Sequence, residues 1–149
     1  MARPSTAAAD ERVTWRPGVE TRLHISESSG AQALCVMEQW CAPGAGAPTH
    51  THFDVEEAIT VLAGVAEVWI DGETSRVEAG SSVVLPPGSF HGFRNDGGTE
   101  LHTLAVFASA RPLVAYEADP DTVLAIGVES EDMLDAHRAR VGGGRGSRR

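Results

Sequence analysis

The chain has 149 residues, a net charge of −9 and 42% hydrophobic content, with 16 glycines and 8 prolines: one domain's length, large enough to bury a core, with a glycine and proline load that suits a turn-rich β protein. None of its twelve basic residues is lysine, which excludes Schiff-base chemistry and a Walker-type phosphate loop. Four of the twelve lie in residues 140–149, so residues 1–139 set eight arginines against 21 acids, a charge of −13 that argues against nucleic acid as the main partner.

Residues 1–12 are small, polar and charged, and are expected to be flexible; their alanine triplet is no signal-peptide apolar region. No apolar run approaches a membrane span, so the expectation is a soluble, cytoplasmic protein that uses no membrane. Residues 13–18 bring Trp15 and Pro17, an aromatic placed to tuck the entering chain against the body of the domain. The alternation of residues 20–26, ETRLHIS, predicts a short strand, broken at Ser28-Ser29-Gly30. Residues 31–41, AQALCVMEQWC, predict the first long strand, with either its even or its odd positions turned to the interior. Cys35 and Cys41 stand roughly 20 Å apart along such a strand, too far for a disulfide, whose Cα separation is about 5.5 Å.

Further strands are predicted over residues 58–62, 65–70, 74–77, 81–85, 90–94 and 100–108. Asp71-Gly72 is a strong hairpin signal, and Pro86-Pro87-Gly88 fixes a tight bend before His91. Beyond Arg111-Pro112 the composition turns acidic. There, residues 130–140, SEDMLDAHRAR, predict a short helix, with Ser130 as cap, acids in the first turn and arginines in the last. The tail 141–149, rich in glycine and arginine without apolar residues, reads as solvated chain.

Two stretches carry the chemistry. Residues 44–64 read GAGAPTHTHFDVEEAITVLAG, and in a strand the two-residue step from His50 to His52 puts both imidazoles on one face. Glu56 and Glu57 come next, of which a strand turns only one inward. Residues 80–95 read GSSVVLPPGSFHGFRN and add His91. Imidazole nitrogens with a carboxylate oxygen suit zinc or another first-row divalent ion, and on an octahedral metal four protein ligands leave two positions open.

The two stretches together resemble the paired signature of the cupin superfamily. The first runs Gly44, five residues, His50, one residue, His52, four residues, Glu57, six residues, Gly64; the second runs Gly80, five residues, Pro86, one residue, Gly88, two residues, His91, three residues, Asn95. Fifteen residues separate Gly64 from Gly80, similar to the short spacing of small bacterial members. Glu56 also fits the family's interval after the second histidine, and only the six-residue run to Gly64 selects Glu57. The resemblance covers roughly residues 30–110 and implies an all-β double-stranded β-helix, or jelly roll, with the predicted helix packed outside it. The expected plan is a flexible segment 1–12, a cupin barrel 13–128, the helix 129–140 and a disordered tail 141–149.

The resemblance also implies one divalent transition metal bound by His50, His52, Glu57 and His91. Iron, manganese, nickel, zinc, cobalt and copper all fit that ligand set. The expected function is a metal-dependent enzyme acting on a small organic molecule, aromatic or carbonyl-bearing, with an oxygenase using Fe(II) or a related ion placed first. A non-redox cyclase, isomerase or lyase, such as a polyketide cyclase, is the alternative, and a non-catalytic ligand- or metal-binding module is the third. A general base inside the barrel would discriminate among these. His102 and Glu38 are the expected catalytic candidates, with Gln39 and Glu67 also considered. A homodimer is expected from the family alone.

Overall fold

The computed structural model describes residues 12–126. Twelve strands form: β1 (Val13–Arg16), β2 (Val19–Ile25), β3 (Cys35–Cys41), β4 (Gly46–Thr51), β5 (Glu57–Ala63), β6 (Val65–Ile70), β7 (Glu73–Glu78), β8 (Ser82–Leu85), β9 (His91–Asn95), β10 (Leu101–Phe107), β11 (Leu113–Tyr116) and β12 (Asp119–Ala125). They make two six-stranded antiparallel sheets in the orders β1-β2-β3-β10-β5-β8 and β12-β11-β4-β9-β6-β7. Chain neighbours such as β4 and β5 lie in different sheets, while β10 returns to sit between β3 and β5. This is the jelly roll expected from the sequence.

Strand alternation builds the core. In β10, Leu101, Thr103, Ala105 and Phe107 are buried while His102, Leu104 and Val106 are half-buried on the other face. Its neighbour β3 answers with Cys35, Met37, Gln39 and Cys41, so the odd positions are the inward set. Burying a side chain such as Leu101, Phe107 or Val61 stabilises the fold by roughly 1.5–3 kcal/mol each. Cys35 and Cys41 are free and buried at opposite ends of one strand, as their spacing requires.

The turns match their residues where backbone demands are strictest. Asp71 and Gly72 both take positive φ, 48° and 86°, the conformation of a two-residue hairpin loop between β6 and β7. Gly92, directly after His91, leaves room for the Trp69 indole: a Cβ there would lie 2.4 Å from the ring. Asn95 does more than turn the chain. Its buried amide donates to Cys41 O at 2.9 Å and Thr99 O at 2.7 Å, and its oxygen accepts from Gly97 N at 2.9 Å, so one side chain ties the end of β9 to the end of β3 in the other sheet.

Two expectations need adjusting, and a third is untested. The long strand begins at Cys35, because residues 27–29 form a 3-10 turn closed by Gly30 at φ 97°. The acidic stretch after Pro112 forms a hairpin, β11 and β12, that extends the second sheet beside β4. The helix and tail expected over 129–149, like the segment 1–11, lie outside the described residues. Among the described residues no helix is long and apolar enough to cross a membrane.

Candidate metal centre

The site is set by an irregularity in β4. Ala47 pairs with Phe93 and His50 with His91, so three steps on β4 match two on β9: a β-bulge at Pro48-Thr49. In a regular strand Ala47 and His50 would face opposite ways, whereas the extra residue lets both enter the barrel. Pro48 lacks a ladder N–H and belongs at such a break. Trp69 holds the bulge by donating from Nε1 to Thr49 Oγ1 at 2.9 Å, and Glu117 N donates to Thr49 O at 3.0 Å.

His52 lies just past the end of β4, Glu57 opens β5 and His91 opens β9. Phe53, at φ 58°, turns the chain after His52 through a conformation that a bulky residue rarely adopts, and its carbonyl accepts from Gly88 N. That bond joins the loop after His50 and His52 to the Pro86-Pro87-Gly88 bend that delivers His91. All four side chains are buried, Glu57 with 4% exposure, and their ligating atoms all lie within 4.8 Å of one another. Glu56 points to solvent, which separates the two adjacent carboxylates as strand geometry demands.

Each histidine is oriented by an outer partner. His50 Nδ1 lies 2.6 Å from Pro48 O, and His52 Nδ1 lies 2.7 Å from Leu113 O. A carbonyl only accepts, so both nitrogens donate. His91 Nδ1 lies 3.1 Å from Ser89 Oγ, whose own proton goes to Pro86 O at 2.7 Å, so this Nδ1 donates as well. In the neutral rings every Nε2 is therefore an open lone pair.

Those lone pairs converge on the carboxylate. Glu57 Oε2 lies 3.2 Å from His52 Nε2 and 3.3 Å from His91 Nε2, and among the described residues neither Glu57 Oε2 nor His91 Nε2 has a hydrogen-bond partner. Burial alone would raise the Glu57 pKa, but His52 and His91, where Nε2 carries a proton, outweigh it and hold the carboxyl at about 2, and a metal ion in place of that proton acts in the same sense. His50 is pushed well below the usual imidazole value by burial and by the neighbouring His52 and His91. Imidazoles that donate from Nδ1 to outer partners and turn Nε2 toward a buried carboxylate form an arrangement that a cation completes. This group could hold a metal ion.

The cavity, about 30 Å³, is lined by these four residues and by Trp15, Arg16, Gln39, Phe93 and Tyr116 among others. Gln39 donates to Thr21 Oγ1 at 3.0 Å. Arg16 and Tyr116 escaped the reading of the sequence: Arg16 sits in the entering strand and Tyr116 in the unforeseen hairpin, and neither belongs to a motif.

Glu38 and His102 are brought together, but on the opposite face of their sheet. Glu38 Oε1 lies 3.1 Å from His102 Nε2 and Oε2 lies 3.2 Å from His24 Nε2. The His102 ring stacks on Trp40 at 4.9 Å, with the Arg12 guanidinium 3.7 Å above Trp40. Burial would raise the Glu38 carboxyl, yet its two histidine partners draw it below the ordinary value. Neither residue lines the cavity, because alternation along β3 and β10 gives that face to Met37, Gln39 and Phe107. Glu67 is likewise turned outward, 3.0 Å from Arg94 Nη2.

Comparison with known proteins agrees with the fold and the two motifs. The family model described as Cupin domain matches residues 38–107, a span that holds all four converging side chains. Residues 38–107 are thereby identified as a cupin domain. Among curated proteins, this cupin is 34% identical over 80 residues to polyketide synthase CurC of Streptomyces cyaneus, covering 54% of the chain and about half, 49%, of that relative. Among solved structures, it resembles KdgF from Halomonas sp. with a TM-score of 0.63 and 18% identity over 72% of this chain and 94% of the other. It also resembles a recombinant oxalate oxidase in complex with glycolate, with a TM-score of 0.65 and 21% identity over 85% and 74% of the two chains. At such identities the structural likeness speaks for the fold.

Proposed function

We propose that this cupin is a metal-dependent enzyme that binds one first-row divalent ion through His50, His52, Glu57 and His91 and acts on a small organic molecule, with oxygenase activity as the leading reading. The observation that carries it is the convergence of three oriented Nε2 lone pairs on an ionised, buried Glu57. A divalent ion there supplies Lewis acidity and, if redox-active, electrons for dioxygen chemistry, with open positions for reactants. The protein's own part is to fix the imidazole tautomers from behind, to keep Glu57 ionised and to exclude bulk water with Trp15, Phe93 and Tyr116.

The oxygenase is preferred over a proton-transfer enzyme for one reason. Among the described residues lining the cavity, no carboxylate or imidazole stands apart from the four ligands to serve as a base. The CurC match favours a second reading, a non-redox step on a carbonyl- or enol-bearing intermediate. Substrate turnover by the Fe(II)-loaded protein, followed in air and under nitrogen with an oxygen electrode, separates them. Oxygen uptake stoichiometric with product supports the oxygenase, whereas undiminished anaerobic turnover sinks it.

A further inference from the structure

A buried cation shares the cavity with the histidine cluster. Arg16 is only 8% exposed and lines the same space as His50, His52, Glu57 and His91. Its Nη1 donates to Gly46 O at 2.8 Å and its Nη2 to Tyr116 OH at 2.9 Å, while Nε has no hydrogen-bond partner among the described residues. Among the described residues no carboxylate forms an ion pair with it. The Tyr116 ring neighbours both groups, 5.6 Å from the Arg16 guanidinium carbon and 5.6 Å from the His50 ring.

Such a residue needs an anion. A guanidinium is charged at every accessible pH, and its desolvation is offset only by a well-placed counter-charge. Glu57 is the sole acid lining the cavity among the described residues, and it lies against His52 and His91 rather than in an ion pair with Arg16. With a divalent ion added, the cavity would carry an excess of positive charge. Two of the five guanidinium N–H groups are used, leaving Nε–H and neighbouring Nη hydrogens as a planar fork that matches a carboxylate. The cavity, about 30 Å³, is narrow beside Arg16 and favours a compact anionic group there.

We propose that Arg16 is the anion-recognising residue of this cavity and that the ligand it selects is a small organic carboxylate, held by the Nε and Nη fork with its other end toward the histidine cluster. The part played by the far end rests on the metal-enzyme reading, whereas recognition of the charge does not. Tyr116 and Gly46 act as positioning groups: they fix two edges of the guanidinium so that the remaining donors keep one direction.

The test uses acetate and its neutral isostere acetamide as probes, measured by ligand-observed NMR on the full chain, metal-free and loaded with Zn(II). The parent is expected to bind acetate at least tenfold more tightly than acetamide in both forms. Arg16→Gln should lose that preference while its acetamide and Zn(II) affinities stay within twofold of the parent's. Arg16→Lys should recover it in part, because the charge stays and the fork is lost. An Arg16→Gln protein that keeps the full preference overturns the proposal, as does a parent with no preference. Should Arg16→Gln not fold, Arg16→Lys decides, and an acetate affinity equal to the parent's counts against Arg16. If no zinc binds but the metal-free preference vanishes in Arg16→Gln, the metal reading falls and the recognition of carboxylates by Arg16 stands.

Discussion

His91 Nε2 and Glu57 Oε2 face each other across 3.3 Å with no hydrogen-bond partner for either among the described residues, while His91 Nδ1 is held from behind by Ser89. Two buried acceptors in that relation are costly to leave facing each other and favourable to bridge with a cation. The same logic extends to His50 and His52 through their backbone carbonyl partners. Orientation from outside is thus built into the sites of all three imidazoles.

Ser89→Ala tests that outer support. It removes the acceptor of the His91 Nδ1 proton and the hydrogen bond to Pro86 O while leaving every ligand atom in place. Metal affinity, measured by competition with a chromogenic chelator, should drop by about 10-fold or more. Unchanged affinity would mean that His91 is oriented by packing alone.

Asn95→Ala tests the tie between the sheets. It strands the Cys41 and Thr99 carbonyls and the Gly97 N–H, at a cost of about 2–3 kcal/mol in urea unfolding. A loss below about 0.5 kcal/mol would show that water replaces all three bonds.

The buried thiols contribute to a loss of stability at alkaline pH. Burial, with a smaller push from Glu57, raises Cys35 to about 12, and burial, with Glu100 added and Arg16 opposing, raises Cys41 to about 12, from an ordinary 9.0. Between pH 9 and 12 the unfolded chain loses protons that the folded chain keeps, so stability is full below pH 9 and declines as pH rises through that window. A Cys35→Ala, Cys41→Ala protein should show a flatter stability profile from pH 9 to 11. In the native parent both thiols should resist a disulfide reagent at pH 8.

Glu38→Gln separates the outer cluster from the cavity. Since Glu38, His24 and His102 lie on the far face of the sheet, the substitution should leave metal content unchanged and cost at most about 1 kcal/mol of stability. A turnover loss of tenfold or more with metal retained would restore an acid–base role to this pair.

Much of this was legible because the motifs fix backbone and ligands together. The pairs of glycines, the Pro-Pro-Gly bend and the His, His, Glu, His spacing mark local geometry, and the Asp71-Gly72 hairpin and the alternation of β10 speak through period-two burial. What lay hidden depends on register between distant strands. The Pro48-Thr49 bulge is defined only against β9, and the acidic β11–β12 hairpin gains its place by pairing with β4. Arg16 and Glu38 illustrate the same limit from opposite sides: an arginine in an opening strand enters the cavity, while a glutamate in a central strand does not. Which face a strand turns inward is decided by its partners, and a single chain pattern reads that only where the alternation is one-sided.

The most direct measurement is elemental analysis of the protein purified without added metal or chelator, beside a His50→Ala, His91→Ala double variant. The account predicts near one equivalent of a first-row divalent metal in the parent and little in the variant, with both retaining strand-rich circular dichroism. A folded parent that holds no metal, and whose melting temperature does not rise with Fe(II), Zn(II) or Ni(II), would contradict it.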